Sequence, residues 1–422
     1  MYKNNIFEGN SSYSSIYKPI LANNFENQGE SSDLCSMMFT PEHLTRFNGL
    51  ATPFFYYDLS LLQKTIEAAA KQASRHGFHI HYALKANANR EILQPIVAAG
   101  FGADCVSGNE VLRALETGFA PEKIVFAGVG KSDKEIKTAL EKDIFCFNVE
   151  SVEELQVIEG LAAQIGKTAT VALRVNPLVE AHTHQYITTG TAENKFGIPP
   201  RDFDTLLQLL PALSHIRVIG LHTHIGSQIC NMDNFKNTCL KFNEIRRWFE
   251  QHDLHFTDLN IGGGLGVDYQ HPDDNPIPDF QNYFDTINRY LERTPQQQVH
   301  FELGRSIVAQ CGSLITRVLY TKQGENKRFA IVDAGMTELI RPALYQAYHK
   351  IQALKAPQVA ALIYDVVGPI CESSDFFGKD VALPMLQRGD LLAIRTAGAY
   401  GEVMSSNYNL REKAPAIYMP AL

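Results

Sequence analysis

A chain of 422 residues, 45% of them hydrophobic and 20% charged, can bury a full-sized core without disulfide or metal staples. Its formal net charge of -8 lacks the basic excess that marks a nucleic-acid binder. The seven cysteines are scattered without CxxC spacing and no apolar run reaches the roughly 18 residues of a membrane span, which speaks against a disulfide framework, a zinc cluster or a transmembrane segment and for a reducing compartment.

Residues 1–36 are rich in Ser, Asn and Tyr and carry no apolar h-region, so a flexible tail is expected there rather than a signal peptide. Folded structure is expected to begin near Met37 and Met38, just before Phe-Thr-Pro-Glu-His-Leu. From residue 78 short apolar runs alternate with segments of helical period. Strands are predicted at 78–85, 102–107, 123–129, 144–150, 170–176, 216–225, 258–262 and 299–303. Between them, 108–118, 132–142, 152–165 and 232–252 carry apolar residues three and four apart. Ser107 and Ser132 sit at N-cap positions, and Ser151-Val-Glu-Glu has the form of a capping box. Eight strands alternating with helices fit a doubly wound sheet or a closed barrel, and the count favours an α/β fold of the (β/α)8 TIM type. After residue 306 the predicted strands 307–320, 328–334, 361–367 and 390–396 have no regular helices between them. They are expected to form a mostly-β domain, a barrel or sandwich, which the strand-like 51–57 joins. The expected division is a tail at 1–36, a barrel at 60–306, and a β domain of 37–59 with 307–422.

Catalytic residues of such barrels gather at the C-terminal strand ends. The first strand ends in Tyr82-Ala-Leu-Lys85-Ala-Asn. A lysine there either snorkels to the surface or serves as a Schiff-base amine. The sixth ends in His222-Thr-His224-Ile-Gly-Ser227-Gln, which reads as a metal pair or as packed, hydrogen-bonded imidazoles facing one way. A second HxH, His182 and His184, falls in a loop, and no further ligand closes a coordination set. The seventh runs into Gly262-Gly263-Gly264-Leu-Gly266, where bare backbone can nest an anion or simply turn tightly. Val267 occupies the third glycine position of a dinucleotide fingerprint, and Val125 the first of a P-loop leading to Gly130-Lys131-Ser132, so neither nucleotide motif is present. The eighth ends in Glu302-Leu-Gly304-Arg305, an internal ion pair or a carboxylate and a guanidinium aimed at ligand groups. In the β region, Gly368-Pro-Ile-Cys371-Glu372-Ser-Ser-Asp375 places a thiol and two acids in a turn, and Ala397-Gly-Ala-Tyr400-Gly401 sets a tyrosine between glycines.

Taken together, YALKAN, HTHIGSQ, NIGGGLG, ELGR, IRPALY, GPICESSDFF and AGAYG stand in the order and spacing of one family. From about Phe39 to the C-terminus the chain resembles the diaminopimelate decarboxylases, of the alanine-racemase-like (fold type III) pyridoxal-phosphate enzymes. CESSDFF and the stretch 181–198 point to this branch rather than to the wider group. The resemblance implies decarboxylation of meso-2,6-diaminopimelate at its D-centre to L-lysine and CO2, with pyridoxal 5'-phosphate as cofactor and no metal. It implies that Lys85 carries the cofactor, that Gly262, Gly263, Gly264, Gly304, Ser227 and Tyr400 hold its phosphate side, that His224 stacks on the ring, and that Glu302 keeps the ring nitrogen protonated. Arg305, also beside the cofactor, would bind substrate carboxylates with Arg341 and Tyr345; Tyr400 would touch substrate too. Glu372 would read the distal ammonium and Cys371 act as acid, both reaching a neighbouring subunit's site in a homodimer. A cytoplasmic enzyme with no nucleic-acid or membrane partner follows.

Two departures stand out: Leu303 where the family has proline, and Leu410-Arg-Glu-Lys-Ala-Pro where it tends to Arg-Pro-Arg-Pro. The rivals are a related decarboxylase of carboxynorspermidine, ornithine or arginine, a non-catalytic pyridoxal-phosphate binder, and a zinc amidohydrolase built on His222 and His224.

Overall fold

Strand–helix alternation closes on itself. In the computed structural model, which describes residues 39–177, 195–355 and 361–419, eight parallel strands form a closed barrel in chain order. They are β2 (Phe78–Ala83), β3 (Gly102–Cys105), β4 (Ile124–Phe126), β5 (Cys146–Val149), β6 (Ala169–Arg174), β7 (Ile216–His222), β8 (Asp258–Asn260) and β9 (Gln298–Leu303), following β1 (Phe54–Asp58). The expectations for the tail at 1–36, for a start near Met37 and for His182 and His184 fall outside the described residues.

The pleat sorts the side chains of each barrel strand into two faces. Phe301 of β9 points outward and packs edge-on against Tyr283 and Phe284 of the helix Phe280–Tyr290. Its neighbours His300 and Glu302 point inward. There the lining is polar and layered. His81 meets His300 at 3.0 Å, and His300 meets Asp258 at 2.9 Å. One layer higher, Glu302 is held by residues of β5, β7 and β8. The helices start where expected: the Ser107 and Ser151 hydroxyls accept the N–H groups of Glu110 and Glu154. At Ser151 the capping box is only half made, because the Glu154 carboxylate takes the Glu150 N–H and the Lys131 ammonium instead.

After the barrel, residues 305–308 form a short helix, so the strand expected from 307 begins only at Gly312. Gly398 packs so closely on Gly312 that a Cβ on either would collide with the other's backbone or with Val308. The following strands are β10 (Gly312–Gln323), β11 (Arg328–Val332), β12 (Ile351–Ala353), β13 (Ala361–Val367), β14 (Phe376–Pro384), β15 (Leu391–Ile394) and β16 (Ala416–Met419). They build a mostly-β domain ordered β12-β15-β10-β11-β13-β14. The expected partnership of the N-terminal strand is present. β1 runs antiparallel to β10, with Phe54 opposite Ile315, and parallel to β16, with Phe55 opposite Ala416. The sequence reading missed β12, β14 and β16. β12 is three residues long, and β14 is a sheet-edge strand whose exposed Lys379 and Asp380 interrupt the alternation.

Candidate active site

The C-terminal ends of the barrel strands open into a cavity of about 1380 Å³, and the β domain contributes part of its wall. Lys85 lies on the single 3-10 turn Leu84–Ala86 that follows β2, and its Nζ is 3.3 Å from Oδ2 of Asp104, from the end of β3. Asp104 is fully buried and its Oδ1 has no hydrogen-bond partner among the described residues. Burial lowers the Lys85 pKa, but Asp104, Tyr400 and Glu302 together raise it more, so the amine sits above the ordinary lysine value. Burial and the Glu302 charge push the Asp104 carboxyl up, against the pull of Lys85.

Glu302 forms the floor. Its Oε1 accepts Nδ2 of Asn148 and of Asn260, each at 2.8 Å, and its Oε2 lies 3.2 Å from Nε2 of His222. Burial alone would raise this carboxyl, yet the imidazole of His222, its hydrogen bond and Lys85 outweigh that cost and hold it well below the usual carboxylate range. Leu303, in the place of the family's proline, completes β9 opposite Tyr82 and is fully buried, so Glu302 and Arg305 keep their positions on either side.

The glycine turn is needed for close approach as much as for backbone freedom. Gly262 and Gly264 have φ of 70° and 113°, and a Cβ on Gly263 would overlap the Glu302 carbonyl oxygen. β7 ends at His222, so the two imidazoles of the HxH part company. His222 joins the barrel interior, while His224 belongs to the loop and its Nδ1 accepts the Gly263 N–H at 3.1 Å. Burial, Lys85 and Arg174 keep the His224 pKa well below normal, in keeping with a neutral ring that accepts at Nδ1. Among the described residues no group of three or more His, Cys, Asp or Glu is arranged to hold a metal ion. Beside the turn, Ser227, Gly264, Gly304, Arg305 and Tyr400 border a narrow recess off the main cavity.

Tyr400 reaches that recess through a strained backbone, with φ of 57°. The strain is held by the barrel: the Tyr400 N–H donates to the Ala86 carbonyl at 2.9 Å, and Asn87 Nδ2 donates to the Gly398 carbonyl at 3.1 Å. AGAYG and YALKAN therefore clasp each other directly. Arg341 and Tyr345 come from the short helix Arg341–Tyr345 and line the same cavity. Arg341 is 5% exposed, and its Nε has no hydrogen-bond partner among the described residues. Cys371 and Glu372 are not brought to this cavity. They sit on an exposed turn shaped by Asp375, which accepts the N–H groups of Ile370 and Met336; Cys371 N–H donates to Asn409 Oδ1, and Glu372 Oε2 accepts the Tyr408 hydroxyl at 3.4 Å. Asp104, Asn148, Arg174, Asn260 and Tyr269 were not picked out from sequence. Arg174 did carry the signal that flagged Lys85, a charge at the end of an apolar strand, whereas Asp104 stands inside one.

Residues 59–309 match the family described as pyridoxal-dependent decarboxylase, pyridoxal binding domain. A diaminopimelate decarboxylase of Bacteroides thetaiotaomicron is 53% identical over 370 residues, 87% of this chain and 96% of that protein. One from Vibrio cholerae is 42% identical over 88% of each. The chain belongs to the diaminopimelate decarboxylase family. Among solved structures, the Helicobacter pylori diaminopimelate decarboxylase complexed with L-lysine superposes with a TM-score of 0.83 at 39% identity, covering 89% of this chain and 93% of that one. The site fits the pyridoxal group for which the wider family is named. A primary amine and a buried carboxylate face one cavity, and the glycine turn leaves room for nothing bulkier than backbone.

That fit makes the Lys85–Asp104 pair testable. A neutral amine attacks an aldehyde, and Asp104 favours the ammonium. Asp104→Asn is expected to speed the reaction of cofactor-free protein with pyridoxal phosphate roughly tenfold at pH 7, and to move its pH–rate profile toward lower pH. The absorbance change on mixing measures both; an unmoved profile would show that Asp104 does not govern the amine.

Proposed function

We propose that this protein decarboxylates meso-2,6-diaminopimelate at its D-centre, giving L-lysine and CO2, with pyridoxal 5'-phosphate bound through Lys85. The observation that carries this reading is the pairing, in one cavity, of the Lys85 amine and Glu302 carboxylate with two guanidinium groups, those of Arg305 and Arg341. Neither guanidinium has a carboxylate partner among the described residues. Two such groups suit a substrate with two carboxylates better than ornithine, which has one.

When bound, pyridoxal phosphate supplies an electron sink for the pair left behind as CO2 departs. The chain does the rest. The Lys85 amine gives and takes protons beside Asp104. Glu302, held anionic by His222 and Lys85, would face the ring nitrogen and favour its protonated form. His224 would pack on the ring. The glycine turn, Gly304, Ser227 and Tyr400 would hold the phosphate with backbone and hydroxyl donors. Arg305, Arg341 and Tyr345 bind carboxylate and orient the bond to be broken.

Cys371 would return the proton and Glu372 would bind the distal ammonium. Because both stand on an exposed turn away from this chain's own cavity, they are assigned to the site of a second copy in a homodimer with two shared sites. We assign the cofactor to a barrel spanning 60–306 and the partner-facing turn to the β domain of 37–59 and 307–422. A cytoplasmic location is supported by cysteines that are free among the described residues, and none of the described helices is long and apolar enough to cross a membrane.

The test is to assay protein supplied with pyridoxal phosphate for lysine and CO2 from meso-diaminopimelate, with ornithine, arginine and carboxynorspermidine in parallel. Lysine from diaminopimelate alone is the expected result. Turnover of another substrate would leave the cofactor site standing and overturn the specificity. A coloured protein silent on all four would indicate a binder.

A further inference from the structure

If the protein acts as proposed above, a role falls to Tyr269, in the loop after β8 and just beyond the glycine turn. It is 9% exposed and lines the cavity. Its hydroxyl accepts Nη1 of Arg305 at 2.6 Å, while the face of its ring lies 5.3 Å from the guanidinium carbon of Arg341. One side chain thus grips both guanidinium groups by two different attractions, a charge-assisted hydrogen bond at its tip and a cation–π contact on its face.

Two like charges in one cavity repel, and their separation must be enforced by something other than each other. Among the described residues Arg305 also meets the Ser227 hydroxyl, at 3.1 and 3.0 Å, and its guanidinium lies over the Tyr400 ring at 4.8 Å and, more loosely, over the Tyr269 ring at 6.0 Å. No carboxylate of the described residues lies within ion-pair distance of either arginine. The tyrosine is itself fixed from behind: the ring of His349, 1% exposed and anchored through Nδ1 to the Arg395 carbonyl, stands edge-on to it at 5.0 Å. We infer that Tyr269 is a positioning residue that sets the spacing of the Arg305 and Arg341 guanidinium groups, and so the enzyme's preference for a substrate that retains a carboxylate at its distal end.

Phenylalanine and leucine separate the two attractions. Y269F keeps the ring under Arg341 and loses the hydroxyl; Y269L loses both. With the holoenzyme, Y269F is expected to raise KM for diaminopimelate about tenfold and Y269L about a hundredfold, with kcat within about threefold in each. L-Lysine, which keeps the distal carboxylate, should weaken in parallel as a competitive inhibitor, and the absorbance of the bound cofactor and the thermal midpoint should stay at wild-type values. A KM within twofold of wild type in both variants would overturn the inference. So would a fall in kcat at constant KM, or a lowered midpoint with an altered spectrum, since each marks a merely structural role. Wild-type protein silent on diaminopimelate would instead overturn the functional reading, and the specificity claim with it.

Discussion

Lys85→Ala is expected to lower kcat by roughly ten-thousand-fold, because among the described residues that line the cavity no other carries a primary amine to engage the cofactor aldehyde and exchange a proton there. Lys85→Arg sharpens the result. It keeps a cation beside Asp104 at the end of β3, so it preserves the electrostatics of the buried carboxylate while offering no nucleophile. Both variants should lose the visible absorbance of bound pyridoxal phosphate; a coloured and active K85R protein would remove Lys85 from its assigned role. The same variant tests the shared site. If Cys371 acts in a partner's cavity, K85A and Cys371→Ala subunits, each inactive alone, should recover about a quarter of wild-type activity after mixing, because half of random pairs are mixed and each mixed pair has one intact site. Mixtures that remain dead would place Cys371 outside the chemistry or exclude the paired arrangement.

Glu302→Gln should reduce kcat by about a hundred- to a thousand-fold, the scale of removing one preorganised electrostatic partner from a buried site. The substitution is close to isosteric, but it replaces an oxygen that accepts from Asn148 and Asn260, or the one facing His222, with an NH2 group. It therefore removes the charge and, where the NH2 faces the two asparagine amides, sets donor against donor. The pH behaviour has a definite sign. A carboxylate held below its unfolded pKa contributes stability that is present above the unfolded value and fades as the solution is acidified toward the folded one. Wild-type protein should lose stability as pH falls below about 4.3, the ordinary glutamate value, and E302Q should lose less over the same interval. Denaturant titrations at pH 3 to 7 measure the difference; parallel profiles would mean Glu302 is not ionised through its neighbours as described.

The barrel was legible because its outer strand faces and its helices obey the two periods that sequence displays, and because Ser107 and Ser151 mark helix starts by a local bond. The site was legible where a charge or a glycine run interrupted an apolar strand end, as at Lys85, Glu302 and the turn at Gly262–Gly264. What escaped is non-local. Asn148, Asn260 and His222 become one group only when β5, β8 and β7 converge on Glu302, and nothing in the spacing of two asparagines announces it. Tyr269 reads as an ordinary loop aromatic until Arg305 and Arg341, from two separate segments, close on it. Cys371 and Glu372 stood out as a thiol and an acid in a turn, but only family likeness gave them roles, and their turn lies away from the cavity of their own chain.

The placement of the first strand bears on how the chain is made. β1, with the sequence Phe-Phe-Tyr-Tyr-Asp, leaves the ribosome before any barrel strand, yet its partners are residues 312–315 and 416–419. The barrel can close while this segment still has two bare edges and four aromatic rings that end up fully buried. During synthesis it needs shielding until residues 416–419 have been made and pair with its second edge.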